Sequence, residues 1–216
     1  MPIKVYVTDD HTIVREGIIS LLVGCSDIEV VGSGKDCRQT LEEARKSSPD
    51  VVVLDIGLPH VNGIECLHRL KHKVPSVKVL MLSMYETRSI VLSSLRAGAD
   101  GYLLKDCATE ELERAVRCIA AGQTYVCPAV AGYLTEEMRS AESTIDAGPF
   151  EVLTEREREV LQLYAEGYST NEIAERLNLS SKTVSTHRLN LNQKLDLKNV
   201  AEMTRYAIRE GLTSVE

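Results

Sequence analysis

The chain has no Trp and a single Phe, Phe150, among its 216 residues. That excludes the aromatic platforms on which single-stranded nucleic acid stacks. No apolar run is longer than a strand, so none spans a bilayer. The opening MPIKVYVTDDH turns acidic at once and reads as lacking a signal-peptide stretch. No two of the six cysteines (25, 37, 66, 107, 118, 127) form a CxxC pair, and no His joins them at zinc-finger spacing. Scattered reduced thiols fit a cytoplasmic setting. Basic charge is also short. The net charge of −7 argues against indiscriminate polyanion binding.

What is present has a clear order. Apolar residues make up 44% and charged residues 26%, a folded composition. Short apolar, β-branched runs at 3–8, 28–33, 51–54, 77–82 and 101–104 read as strands buried on both faces, as in a parallel sheet. Helical periodicity fills 12–23, 38–46, 63–72, 87–96 and 109–121. Five such units predict an α/β domain with a doubly wound five-stranded parallel sheet over 1–124. Residues 125–149 read as a helix at 128–138 with Pro128 near its start, then a linker ending in Gly148-Pro149.

From 154 onward the pattern is helical throughout. Thr154 and Glu157 make a capping box opening a helix to about 166, stopped by Gly167. Ser169 or Thr170 caps a helix through Arg176, Ser180 caps one over 181–195, and a last helix runs from about 199 to 210, ending at Gly211. Residues 150–216 therefore predict a small all-α module of four helices. Its stretch from Arg176 to Arg209 holds seven basic residues against two acidic ones, inside an acidic protein.

Ligands of an open parallel sheet bind beyond the carboxyl ends of its strands. There the chain puts Asp9-Asp10, Asp55, Ser83 and Lys105. Taken singly, Asp9-Asp10 is an ordinary helix cap, Asp55 a loop acid and Lys105 a surface cation. Taken together, three carboxylates in one cleft need compensation. Mg²⁺ with oxygen ligands provides it. An Asp beside Mg²⁺, a Lys and a hydroxyl can accept and hold a phosphoryl group.

VTDDH, VVVLDIGLPHVNGIE, VLMLS and AGADGYLLKD resemble the receiver domain of two-component response regulators, whose sheet is flavodoxin-like. The resemblance implies that Asp55 is the phosphoacceptor and that Asp9, Asp10, Asp55 and the Gly57 carbonyl hold Mg²⁺. It also implies that Ser83 and Lys105 contact phosphoryl oxygens. Tyr102 falls at an aromatic switch position and is expected to move inward on phosphorylation, while Pro59 and Gly63 shape the loop after the acceptor. Where many receivers have Pro after the Lys, this chain has Asp106, so a trans bond is expected.

In the helical module, Val184, Leu191 and Leu195 fall on one face of the 181–195 helix. Lys182, Ser185, Thr186, Leu189 and Asn192 fall opposite, a face suited to a DNA major groove. Lys182, Thr183, His187, Arg188 and Lys194 are candidate phosphate contacts. LTEREREVLQLYAEGYSTNEIAERLNLSSKTVSTHRLNLNQKL resembles the LuxR-type helix-turn-helix domain. It implies base reading by Ser185, Thr186 and Leu189. The two halves together resemble a NarL/FixJ-type response regulator. The partners implied are a sensor histidine kinase, double-stranded promoter DNA and, on activation, a second copy of the chain, with no membrane.

Two other classes compete. An Asp-nucleophile phosphohydrolase needs an acid two residues after its nucleophile, where this chain has Gly57. Only slow self-phosphorylation and self-dephosphorylation are expected of it. A protein-interaction adaptor carrying the same receiver is the other.

Overall fold

The computed structural model describes residues 1–139, 152–210 and 212–213. The predicted linker core and the stop at Gly211 lie outside the described residues. The chain divides into two compact units, Met1–Ser143 and Thr144–Glu216.

The first unit alternates strand and helix. Its elements are β1 (Ile3–Thr8), α1 (Thr12–Val23), β2 (Ile28–Gly34), α2 (Cys37–Ser47), β3 (Val51–Asp55), α3 (Gly63–Lys73), β4 (Lys78–Ser83), α4 (Arg88–Arg96), β5 (Gly101–Leu104), α5 (Ala108–Ala120), β6 (Tyr125–Val126) and α6 (Pro128–Arg139). The sheet is parallel throughout, in the order β2-β1-β3-β4-β5-β6. It thus has six strands where the sequence predicts five. The sixth is two residues long, too short to show a period, and is held beside β5 by the pairing of Gly101 with Tyr125 and Tyr102 with Val126. β3 is buried along its whole length, as a strand covered on both faces must be.

The helices bury the expected stripes, with one exception. On α5, Leu112, Ala115, Val116 and Ile119 all face inward. On α1, Ile18 and Leu22 are buried but Ile13, in the first turn, is 89% exposed. α4 and α6 are joined by Glu137, which pairs with both Arg88 and Arg96.

The second unit contains α7 (Glu155–Ala165), α8 (Thr170–Leu177), α9 (Ser181–Leu195) and α10 (Val200–Arg209). Local chemistry sets each start. Thr154 and Glu157 form a reciprocal capping box, and so do Ser169 and Glu172. Ser180 accepts from the Thr183 N–H at 3.0 Å and Asn199 from the Glu202 N–H at 2.9 Å. Gly167, at φ +91°, ends the first helix in the left-handed region where a side chain is strained. Val160, Leu161, Ile173, Val184, Leu191 and Met203 form the centre of the core.

Candidate functional site

The sheet changes direction between β1 and β3, because β2 lies to one side of β1 and the later strands to the other. At such a switch point the loops diverge and leave a crevice at the strands' carboxyl ends. Register fills it. Thr8 pairs with Leu54, so Asp9 and Asp55 emerge side by side. Asp55 pairs with Leu82, and Ser83 with Leu104, which puts Lys105 next in line.

The result is a buried charge cluster. Asp9 and Asp55 are almost wholly shielded from solvent. Lys105 Nζ reaches Asp9 Oδ2 at 2.8 Å and Asp55 Oδ2 at 3.0 Å. Burial opposes the Lys105 charge, but the Asp55 and Asp9 carboxylates outweigh it and hold the ammonium above its usual range. Burial pushes the Asp55 carboxyl up to about 6. Lys105 and the Gly57 N–H pull it down, while the Asp9 charge pushes it further up.

Two oxygens are left over. Asp9 Oδ2 and Asp10 Oδ1 are buried and receive no well-aligned hydrogen bond; each has an ion-pair contact only, with Lys105 and His11 Nδ1 respectively. Asp9, Asp10, His11 and Asp55 each bring a ligand atom within 4.8 Å of the others. Orphaned carboxylate oxygens around one point suit a hard divalent cation. His11 is a member the sequence reasoning missed. Its exposed ring lies against both Asp9 and Asp10, and the His11 backbone N–H donates to Asp9 Oδ1 at 2.8 Å. Its adjacency to the acidic pair was the available signal. The N-cap of α1 is His11, so neither acid serves as that helix's cap.

The surrounding residues hold this geometry. A Cβ on Gly63 would lie 2.0 Å from the Asp55 carbonyl oxygen, so only glycine lets α3 start this close to the end of β3. Gly57 contacts Asp55 through its backbone N–H, whereas the resemblance implies a role for its carbonyl. Ser83 is fully buried and its Oγ accepts from the Tyr85 N–H at 2.9 Å. Tyr102 differs from expectation. Its ring is already inward and fully buried, and its hydroxyl donates to the Tyr85 carbonyl at 2.7 Å. The β4–α4 loop supplies that acceptor. No cis peptide occurs among the described residues, and the segment after β5 is a single tight turn, Lys105–Cys107.

The second candidate surface is α9. Its inward face carries Val184 and Leu191, with Leu195 partly buried. Lys182, Ser185, Thr186 and Leu189 are exposed, as the helical period predicts. Thr183, His187 and Asn192 are half-buried. Gln193 and Asn190 are exposed on the same side and were not anticipated; Gln193 follows Leu189 by four residues and Thr186 by seven.

Two of the predicted phosphate contacts are engaged internally. Lys194 Nζ binds the buried Glu157 carboxylate at 2.6 Å. The Arg188 guanidinium lies over the Tyr164 ring at 5.0 Å. Arg176 stacks likewise on Tyr168 at 4.0 Å and Arg209 on Tyr206 at 5.0 Å. Much of the basic stretch thus braces the fold as well as colouring its surface.

Comparison with known proteins agrees with this picture. Residues 5–117 match the response regulator receiver domain, and residues 151–207 match the bacterial regulatory proteins of the luxR family. The transcriptional regulatory protein DegU of Brevibacillus brevis is 36% identical over 99% of this chain and 96% of its own. The oxygen regulatory protein NreC of Staphylococcus carnosus is 36% identical over 97% and 98%. A solved structure of RcsB from Salmonella enterica serovar Typhimurium, bound to promoter rprA with a phosphomimetic, is 27% identical, covers 95% of this chain and 98% of its own, and has a TM-score of 0.66. With a receiver domain followed by a LuxR-type helix-turn-helix domain, this chain belongs to the NarL/FixJ-type response regulators.

Proposed function

We propose that the chain is a transcription factor whose binding to specific duplex DNA is controlled by phosphorylation of Asp55, with a sensor histidine kinase as donor. The observation that carries this is the convergence of Asp9, Asp55 and Lys105 at one sheet edge, with Lys105 within 3.0 Å of both acids. Residues 1–124 form the receiver on this reading, 125–149 a helix and linker, and 150–216 the DNA-binding domain.

Asp9, Asp10, Asp55 and the Gly57 carbonyl are the residues that would hold Mg²⁺. When bound, the cation supplies positive charge against which phosphoryl oxygens gather. The chain's own residues do the rest. An Asp55 carboxylate oxygen attacks the phosphorus of the phosphohistidine. The P–N bond breaks, the imidazole leaves with its electron pair, and an acyl phosphate remains. Lys105 then transfers its contact from the carboxylate to the new dianionic group, and Ser83 offers its hydroxyl. With Gly57 in place of an acid, no side chain activates water for hydrolysis. Turnover is therefore limited to slow self-phosphorylation from small donors and slow self-dephosphorylation.

The output is helix α9 in a major groove. Ser185, Thr186 and Leu189 face the bases, with Asn192 on the same side; Lys182, Thr183 and His187 lie along the backbone side, while Arg188 and Lys194, the other two expected contacts, are held by Tyr164 and Glu157. Solved RcsB structures are described as dimers on DNA, and two copies of this chain would meet half-sites about one helical turn apart. The setting is the cytoplasm, where DNA and reduced thiols are found; all six cysteines are free.

Incubation with a small acyl phosphate and Mg²⁺, followed by intact mass measurement and gel shift on a random duplex pool, tests the reading. One phosphoryl group on the wild type, none on Asp55→Asn, and a duplex shift that depends on the donor are expected. A chain that takes up phosphate yet shifts no duplex would leave the adaptor reading standing. Continuous phosphate release over many turnovers would favour the phosphohydrolase.

A further inference from the structure

Leu189 has no place in the core of its unit. It is 59% exposed, in the middle of a helix whose inward positions, Val184 and Leu191, are fully buried. Val200, at 40%, is the other exposed large apolar side chain among the described residues of that unit, and it lies on α10. A leucine left in water forgoes its burial free energy.

The surrounding face narrows the choice. Ser185, Thr186 and Gln193 lie one turn away on either side and are exposed. The Ser185 hydroxyl donates to the Ser181 carbonyl at 2.8 Å, and the Thr186 hydroxyl to the Lys182 carbonyl at 3.0 Å. With those hydrogens used, both hydroxyl oxygens can only accept from a partner. No arginine serves this face, since Arg188 is turned onto the Tyr164 ring; its one lysine, Lys182, lies seven residues before Leu189 in the helix's first turn, where it is a candidate phosphate contact.

Base-pair edges differ in what they offer such a surface. Guanine presents two acceptors and calls for Arg or Lys. An A·T pair presents the thymine 5-methyl group next to the adenine amino donor. Only the A·T edge meets an apolar spot and hydroxyl acceptors together. We infer that Leu189 reads the 5-methyl group of a thymine, so that each half-site holds an A·T pair where Leu189 meets it. This inference rests on the DNA-binding reading above and adds the chemistry by which that helix chooses its sequence.

The test replaces each thymine of a selected duplex with deoxyuridine, one at a time. The change removes the methyl group and leaves every hydrogen-bonding edge intact. Affinity of the full chain is read by fluorescence anisotropy at one fixed salt concentration. At one position per half-site the wild type is expected to weaken about fourfold, the worth of one buried methyl. Leu189→Ala is expected to bind the parent duplex more weakly and to be indifferent to that replacement. Wild-type indifference at every thymine, or full sensitivity retained in Leu189→Ala, overturns the methyl contact while leaving DNA binding intact. Failure to enrich any duplex overturns the DNA-binding reading, and this inference with it.

Discussion

Asp55 is held in a state that costs stability. Burial raises its carboxyl to about 6, against an ordinary value of 3.8. The folded protein therefore binds this proton more tightly than the unfolded chain does. The sign follows: stability falls as pH rises from about 4 to about 6, and the penalty persists above that. Asp55→Asn removes the charge and should stabilise the protein at pH 7 by about 1–3 kcal/mol. The gain should vanish below about pH 3, where both states are protonated. Denaturant melts at the two pH values check this; equal destabilisation at both would contradict it. Lys105 gives the converse test. It sits at 2.8 and 3.0 Å from two proposed cation ligands. Lys105→Ala should tighten Mg²⁺ binding by roughly tenfold or more, through loss of a nearby like charge, and lower the yield of acyl phosphate. Calorimetric titration showing unchanged Mg²⁺ affinity would argue against a shared site. Gly63→Ala should destabilise by at least about 1–3 kcal/mol, since the new methyl meets backbone at 2.0 Å.

Helix α9 divides its basic residues between two tasks. Lys194 is bound to Glu157, which also closes the capping box on Thr154. Burial works against the Glu157 charge, but Lys194 and Thr154 outweigh it and hold the carboxyl below its usual range. Its contribution is present above the ordinary glutamate range and is lost as pH falls through the lowered value. Lys194→Ala should cost about 1 kcal/mol in stability, discounted for the lysine's partial exposure, and leave the salt dependence of DNA binding nearly unchanged. Lys182→Ala should do the reverse: a near-wild-type melt, weaker binding, and a log–log salt slope smaller by about one phosphate. Identical effects from the two variants would contradict the division. The sequence makes part of this legible. Strands buried on both faces and helices with capping boxes announce themselves locally, and strand ends show which acids can meet. The six-stranded sheet does not, because β6 is two residues held by a neighbour's register. Nor does the Glu157–Lys194 pair, 37 residues apart, or the arginine–tyrosine stacking. Tyr102 could be placed by its strand, but its inward pose depends on the Tyr85 carbonyl of another loop.

Across the whole chain, the net charge is acidic, and one stretch of the second unit, Arg176 to Arg209, is net basic and carries the proposed DNA-facing helix. The first unit has its own strongly paired electrostatics, from the Asp9–Lys105–Asp55 cluster to Glu137 between Arg88 and Arg96. On the proposed function, a phosphoryl group would add nearly two negative charges at Asp55 and compete for the Lys105 ammonium. A shift of a few kcal/mol between two states is sufficient to change DNA affinity by an order of magnitude or more. The direct measurement is affinity for a selected duplex at fixed salt, with and without a small acyl phosphate plus Mg²⁺, for the wild type and Asp55→Asn. The wild type should gain roughly tenfold or more with the donor, and Asp55→Asn should gain nothing. An equal gain in both proteins, or none in a wild type shown by mass to be phosphorylated, would contradict control through Asp55.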